Sequence, residues 1–568
     1  MNLEDQVRNM ILGPSRPPPP GLQQPVDPNT FNRGGSQQQR RQLYQPNANS
    51  VPPRGPQRHG QPQWRQLQAS YLDSIAAAEL PRVEMTQDER EDKETFRKAI
   101  EDVCIDVCNA DPKRLPKVSL QCFGSFQSGF ASAGSDMDLV IVVQVSDASV
   151  CFSLLENDLP RALEKRLLQV GYGARLLSRT RVPIIKVCQA PGMSLLSKLR
   201  QEREKWDDID PDKKCFDLHL KKEREEDVED DLGLPVISPP SPSAQTTTAV
   251  DSTLPQPTKS SPERVDTTSK PRREPWKRER TSGALDFPKD GVGIQCDINF
   301  FNPLGIHNTQ LLRCYSFCDP RVRPIVLFVK AWAKKRHINS SYSGTLSSYG
   351  YVLMVLHYLT NIARPAVLPN LQQPWRPDPN CTPQSADITS VDDFTVDFWR
   401  REAEISGAAA AGQLTPNRQS IGSLLAGFFT YYSSQGGYPQ FHWMNEVISV
   451  RTQGGLMSKQ DKGWVKAVTE EGEGKKVQHR YLFCVEDPFE LSHNVARTVT
   501  HAGIVAIRDE FRRACRILRA RGNGEFATGY DGELMDAFIE QERPEAKVKG
   551  FDIKDAENWP TLGAPKGI

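Results

Sequence analysis

Two aspartates, Asp136 and Asp138, stand one residue apart at the mouth of the aliphatic run LVIVV, within CFGSFQSGFASAGSDMDLVIV at residues 122–142. On a β-strand, side chains two apart point to the same face. Two carboxylates on one face repel each other unless a cation lies between them. The run that follows is near-continuously apolar, as in a strand buried on both faces. A plainer reading also exists, because aspartates often open strands as turn residues. Upstream, Gly124 relieves crowding at a tight turn, and Ser125 offers a hydroxyl and an amide to a phosphate. A helix starting there would add free amides that attract anions.

A third carboxylate would complete two octahedral sites. Asp297 in IQCDINF is the candidate, in an alternation that puts Ile294, Cys296 and Ile298 on one side and Gln295, Asp297 and Asn299 on the other. A mid-strand aspartate in such a setting is unusual unless it is paired or metallated. Two Mg2+ (or Mn2+) ions about 4 Å apart could join three acids to a nucleoside triphosphate. One ion lowers the pKa of an attacking hydroxyl and the other neutralises phosphate charge, which is the chemistry of nucleotidyl transfer.

These residues need strands and helices to hold them. DKETFRKAIEDVCIDVC predicts a helix with Phe96, Ile100, Val103, Ile105 and Val107 as its apolar positions. PKVSLQCFGS, SDMDLVIVVQV and RVPIIKVCQ read as strands, and SVCFSLLENDLPRALEKRLLQV as a helix. RVRPIVLFVKAWAKKRHI, SGTLSSYGYVLMVLHYL, SIGSLLAGFFTYYSS and GIVAIRDEFRRACRILRA read as helices, with a hairpin near FHWMNEVISVRTQG. A loop rich in Pro and Asp spans about 365–397.

The expected organisation is a disordered Pro/Gln/Arg-rich tail at 1–65 and the first part of a catalytic domain at 66–189. A largely disordered insert follows at 190–290, then the rest of the catalytic domain at 291–315, a helical domain at 316–525 and a polar tail at 526–568. Within the insert, KKEREEDVEDDLG reads as partly helical, followed by a Ser/Thr/Pro linker. The insert ends in the basic cluster KPRREPWKRER, which reads equally as an import or RNA-touching patch and as a solvated charge run.

With 568 residues, 38% of them hydrophobic, the chain is long enough for two or three domains. A formal net charge of +1 means that any electropositive surface is local. The start does not read as a secretory leader, and no run of 18 apolar residues predicts a membrane span. The twelve cysteines lack zinc-site spacing with histidine and read as reduced thiols.

In its acid signature, and in RTRVPIIK, GIHNTQLL, VKAWAKKRHINSSYSGTLSSYGYVLMVLHYL, GSLLAGFF and EDPFELSHNVARTV, the chain resembles the DNA polymerase beta superfamily of nucleotidyltransferases. Within that superfamily it is similar to the non-canonical poly(A) polymerases and terminal uridylyltransferases, nearest to the small fungal cytoplasmic enzymes of the caffeine-induced-death type. The likeness covers roughly residues 89–520, apart from the insert.

The resemblance implies that Asp136, Asp138 and Asp297 hold the catalytic metals, with Asp297 also assisting deprotonation of an RNA 3′-hydroxyl. By the same likeness Gly124, Ser125, Lys330 and Lys334 meet the triphosphate, the two lysines sharing a helix face at a spacing of four. Asn308 meets the ribose and base, Ser348 the nucleotide, and Tyr349 stacks on the base. Asp487, Glu490 and His493 belong to the base-recognition segment, with His493 associated with UTP. An imidazole N–H can donate to a uracil carbonyl, and its bulk crowds a purine.

The expected fold is α+β: a polymerase-beta-like domain on a mixed sheet, packed against a mainly helical domain with the nucleotide in the cleft between them. The helices preceding the catalytic motif, near Asp92, are expected to pack with the second domain. The expected activity is UMP addition to RNA 3′ ends. The alternatives are AMP addition, an inactive RNA-binding scaffold and a tRNA nucleotidyltransferase. The expected partners are an RNA 3′ end, a nucleoside triphosphate and RNA-decay factors, for a monomer without a membrane anchor. The expected location is cytoplasmic, with nuclear entry left open by the basic cluster.

Overall fold

Five strands build the sheet: β1 (Val118–Phe123), β2 (Met137–Val143), β3 (Gly173–Leu177), β4 (Ile184–Cys188) and β5 (Gln295–Asn299), in spatial order β1-β2-β5-β4-β3. The computed structural model describes residues 62–111, 115–143, 159–177, 183–209, 276–279, 283–300, 302–373, 390–391, 393–435, 439–472, 475–527 and 529–540. The sequence-based expectations for the first 61 residues, for the charged and Ser/Thr/Pro stretches of the insert and for the last 28 residues lie outside that set.

The sheet is mixed. β2 and β5 are parallel, whereas β1–β2, β3–β4 and β4–β5 are antiparallel. The last strand in sequence therefore sits in the middle. β5 reads as a buried strand because Cys296 and Ile298 are fully covered. The insert separates β4 from β5, and the sheet tolerates it because both strands end at its rim.

Helix α1 (Gln63–Val83) packs against the helical lobe, and α2 (Gln87–Ala110) packs on β1 and α4 (Leu159–Val170). The expectation that both N-terminal helices join the second lobe is thus corrected for α2. Thr86 caps α2 by accepting from the Glu89 N–H at 3.1 Å. Phe96, Ile100, Val103, Cys104 and Val107 form its buried stripe. Ile105, placed in that stripe by the sequence, is exposed, because five residues past Ile100 is more than a third of a turn off the stripe. The short α3 (Gly124–Ser128) follows β1 directly.

The folded body reaches further into the insert than expected. Helix α5 (Met193–Asp207) packs on β3 and α4, and residues 276–279 rejoin the body before β5. The expected polar tail is likewise folded as far as 540, with Leu534 fully buried and the Phe538 N–H bonded to the Lys335 carbonyl at 2.8 Å.

The helical lobe comprises α6 (Pro303–Cys318), α7 (Val322–Lys335), α8 (Ser348–His357), α9 (Glu402–Ala410), α10 (Ile421–Ser433) and α11 (His501–Gly522). A hairpin pairs Glu446–Ile448 with Leu456–Ser458, where one was expected. Its core, centred on Trp332, Phe428, Phe429, Tyr432 and Phe511, is separate from the core under the sheet, so the molecule has two lobes. Helix α6 starts with Asn302 accepting from the Gly305 N–H at 2.9 Å, and it contacts α3 across the lobe boundary. Among the described residues no helix is long and apolar enough to cross a membrane.

Candidate active site

The acids meet through strand register. Asp138 is the second residue of β2 and pairs across the parallel ladder with Asp297 of β5, while Asp136 immediately precedes β2. Burial pushes the Asp138 carboxyl up to about 7, and the neighbouring Asp297 and Asp136 push it the same way. A hydrogen bond from the Ser125 backbone N–H and the charge of Lys330 oppose that rise. Asp297 is raised first by burial and also by Asp136, against the pull of Lys186, whose Nζ lies 3.0 Å from Asp297 Oδ1.

Gly124 has φ of 65°, and an added Cβ would lie 2.2 Å from Asp138 Oδ2. Glycine is required there twice over, by the left-handed backbone and by the carboxylate against it. The Gly124 N–H donates to Thr309 Oγ1 at 2.8 Å, and Thr309 in turn donates to the Gly305 carbonyl at 2.7 Å. The Gly-Ser turn of one lobe is thereby pinned to the second turn of α6.

Among the described residues no three His, Cys, Asp or Glu side chains close into a ready-made metal cage. The donors nonetheless suit a hard divalent cation. All are carboxylate oxygens, the negative charge of Asp136 raises both Asp138 and Asp297, and the cations beside them are Lys186 and Lys330.

Of the thirteen sequence-predicted residues, all but Asp297 line one cleft of about 690 Å³ between the lobes, within the size range of ligand sites. Asp297 lies next to Asp138 in the sheet, with its carboxylate held by Lys186. On α7, Lys330 is buried and its Nζ donates to the Phe130 carbonyl at 2.6 Å. Burial lowers its pKa to about 8, with Asp138 acting against that shift and Lys334 adding to it. Lys334 lies one turn on and also lines the cleft.

The other end of the cleft is organised around Asp487. Asn308 Nδ2 donates to its Oδ2 at 3.2 Å, and the Tyr349 hydroxyl donates to the same oxygen at 3.1 Å. The Phe489 and Glu490 N–H groups donate to its Oδ1, each at 3.0 Å. Burial raises the Asp487 carboxyl, and these four donors hold it down. Asp487 therefore orients Asn308 and Tyr349, leaving Asn308 Oδ1 buried without a protein partner among the described residues. The turn carrying His493 closes on the same segment, its N–H donating to the Glu490 carbonyl at 2.8 Å. Ser348 Oγ accepts from Asn339 Nδ2 at 3.0 Å.

Sequence reasoning missed Lys186, Asn339, Thr309 and Arg82. Lys186 alternates with buried Ile185 and Val187 on β4, so it faces the same side as Asp297, its register partner. That pairing needed the strand order, which local spacing does not carry. Arg82 lines the cleft from the end of α1, far from the chemical motifs.

Two family models match the chain: Cid1 family poly A polymerase over residues 420–493, and the central palm domain of mitochondrial-like poly(A) RNA polymerase over 75–196. Terminal uridylyltransferase cid1 of Schizosaccharomyces pombe is 41% identical over 255 residues, covering 44% of this chain and 57% of that protein. Poly(A) RNA polymerase GLD2 of Danio rerio is 34% identical over 234 residues, 41% of each. The chain spans about half the length of the curated relatives it matches. A solved cytoplasmic RNA terminal U-transferase is 26% identical and superimposes with a TM-score of 0.51, covering 84% of this chain and 99% of that one.

Proposed function

We propose that this chain, which is similar to Cid1 family poly A polymerases and to terminal uridylyltransferase cid1, transfers UMP from UTP to the 3′-hydroxyl of RNA without a template. The observation that carries this reading is a single cleft with paired carboxylates at one end and the Asp487–Asn308–Tyr349 cluster, with His493 beside it, at the other.

The 3′-oxygen attacks the α-phosphorus, the bond from that phosphorus to the bridging oxygen breaks, and pyrophosphate leaves. The hydroxyl proton passes to the Asp297 carboxylate, which stands beside Asp138 across the parallel ladder. Mg2+ or Mn2+ bound by Asp136, Asp138 and Asp297 would supply Lewis-acid stabilisation of the reacting oxygens. Lys330 and Lys334 hold the outer phosphates, and Ser125 binds the terminal ones. Asn308, held at its Nδ2 by Asp487, presents Oδ1 to the ribose and base. Tyr349, fixed through its hydroxyl, offers a stacking face that accepts any base. His493 makes the choice of uracil.

ATP in place of UTP is the second reading, supported by the likeness to GLD2. We place the enzyme in the cytoplasm, by analogy with the solved U-transferase, acting as a monomer on RNA 3′ ends alongside RNA-decay factors.

The test is extension of a short labelled RNA with magnesium and each ribonucleotide singly, then in an equal mixture, with Asp136→Ala as control. UMP tails dominating the mixture support the proposal. AMP tails favour the second reading, and no extension beyond the control overturns both.

A further inference from the structure

The end of the insert docks on the helical lobe rather than standing free. Trp276 Nε1 donates to the Ser343 carbonyl at 3.1 Å. Arg278 Nη1 donates to the Arg336 carbonyl at 2.8 Å and to Glu510 Oε1 at 2.7 Å, with its guanidinium 3.8 Å from the centre of the Phe538 ring. Glu279 bridges to Lys289 at 2.5 Å and lies 3.7 Å from His337 Nδ1. From there the chain returns to the sheet, where Asp286 meets Arg175 of β3 at 2.8 Å. Part of the basic cluster that the sequence offered as an import or RNA-touching patch is thus spent on internal contacts.

The docking target is the loop that joins the two nucleotide-facing helices of this lobe. It leaves α7 just after Lys334 and enters α8 at Ser348 and Tyr349. Its first residues are held tightly. Arg336 bonds Glu510 at 2.8 and 3.2 Å, and His337 has φ of 52°, a left-handed backbone that a non-glycine residue adopts only when its surroundings impose it. Trp276 and Arg278 bond this loop at both ends of its 336–343 stretch. The same loop supplies Asn339, which bonds Ser348 and lines the cleft.

We propose that segment 276–279 is a strap across the loop between α7 and α8, and that Trp276 and Arg278 are positioning residues for nucleotide binding. They set the placement of Lys334 relative to Ser348 and Tyr349 from behind, without touching the ligand. The proposal rests on the nucleotide reading of the cleft.

The experiment measures equilibrium binding of UTP and of ATP with magnesium, without RNA, alongside hydrogen exchange over 336–346. Wild type is compared with Arg278→Ala and Trp276→Phe in the full chain. Arg278→Ala should weaken nucleotide binding about five-fold and speed exchange in the loop, with Tm close to wild type, because Glu510 keeps Arg336 and Arg513 as partners. Trp276→Phe, which keeps the ring and loses one donor, should show a smaller effect in the same direction. Unchanged nucleotide affinity in both variants, whether or not exchange speeds up, would overturn the strap. Failure of wild type to bind either nucleotide would instead refute the reading of the cleft on which the strap rests.

Discussion

Asp138 and Asp297 are register partners on adjacent parallel strands, although the whole insert lies between them in the chain. Strand pairing fixes their backbones side by side, so the charge they concentrate is built into the sheet. Each carboxyl titrates above its ordinary range.

That charge costs stability. Asp138 takes up its proton near 7 when folded against 3.8 when unfolded. The stability tied to that proton is fully present below about 4 and is lost as pH rises through about 7. In metal-free buffer at pH 8, Asp138→Asn should therefore raise Tm by several degrees, worth about 2 kcal/mol after allowing for partial solvent access, while abolishing RNA extension. At pH 4 the gain should vanish. Magnesium added to wild type should raise Tm more at pH 8 than at pH 6. Thermal scans with EDTA and with magnesium check all three, and a lower Tm for the variant at pH 8 would contradict the burial argument.

Gly124→Ala should reduce extension by about 100-fold or more, because the new methyl group displaces the Asp138 carboxylate and strains a left-handed residue by about 1–2 kcal/mol. Initial rates beside a melting curve decide it. Loss of activity in proportion to lost folded protein would mean a purely structural effect.

Burial holds the Lys330 pKa near 8, so it sheds its charge as pH rises through that value. The affinity of wild type for UTP should fall between pH 7 and 9. Lys330→Met should bind UTP about ten-fold more weakly at pH 7 and lose most of that pH dependence. Titration at several pH values reads both, and an equally steep profile in the variant would remove Lys330 from the explanation.

His493→Ser should lower the ratio of UTP to ATP use by about ten-fold, the worth of one directed hydrogen bond to a base, or about 1.4 kcal/mol. Competition assays with both nucleotides measure it. A ratio like that of wild type would assign base choice elsewhere, with the Asn308–Asp487–Tyr349 cluster next in line.

Much of the site was legible along the chain because chemistry leaves local spacing behind. Asp136 and Asp138 two apart, with the Gly124–Ser125 turn ahead of their strand, announce a shared face and a tight turn from spacing alone, whereas Lys330, Lys334, Asn308, Tyr349 and the Asp487–His493 segment were singled out through the family resemblance. The helices of the second lobe and the hairpin near residue 450 followed from apolar patterning in the same way, while the mixed sheet was expected from the family resemblance. Local pattern fails where the partner is distant. Nothing around Lys186 says that β5 will lie beside β4, so its ion pair with Asp297 was invisible. The same holds for α2, which packs on β1 and α4 rather than on the second lobe because the matching groove lies there. It holds again for Arg278, which reads as one more surface charge until Glu510 and Phe538 are placed around it. The sequence by itself determined the local devices from which a site can be built, such as Asp136 and Asp138 on one strand face behind a Gly-Ser turn, because residue type and short spacing are enough to define a face. Only the tertiary structure decided which of those groups meet and what holds them, because register, lobe docking and desolvation are set by packing between segments far apart in the chain.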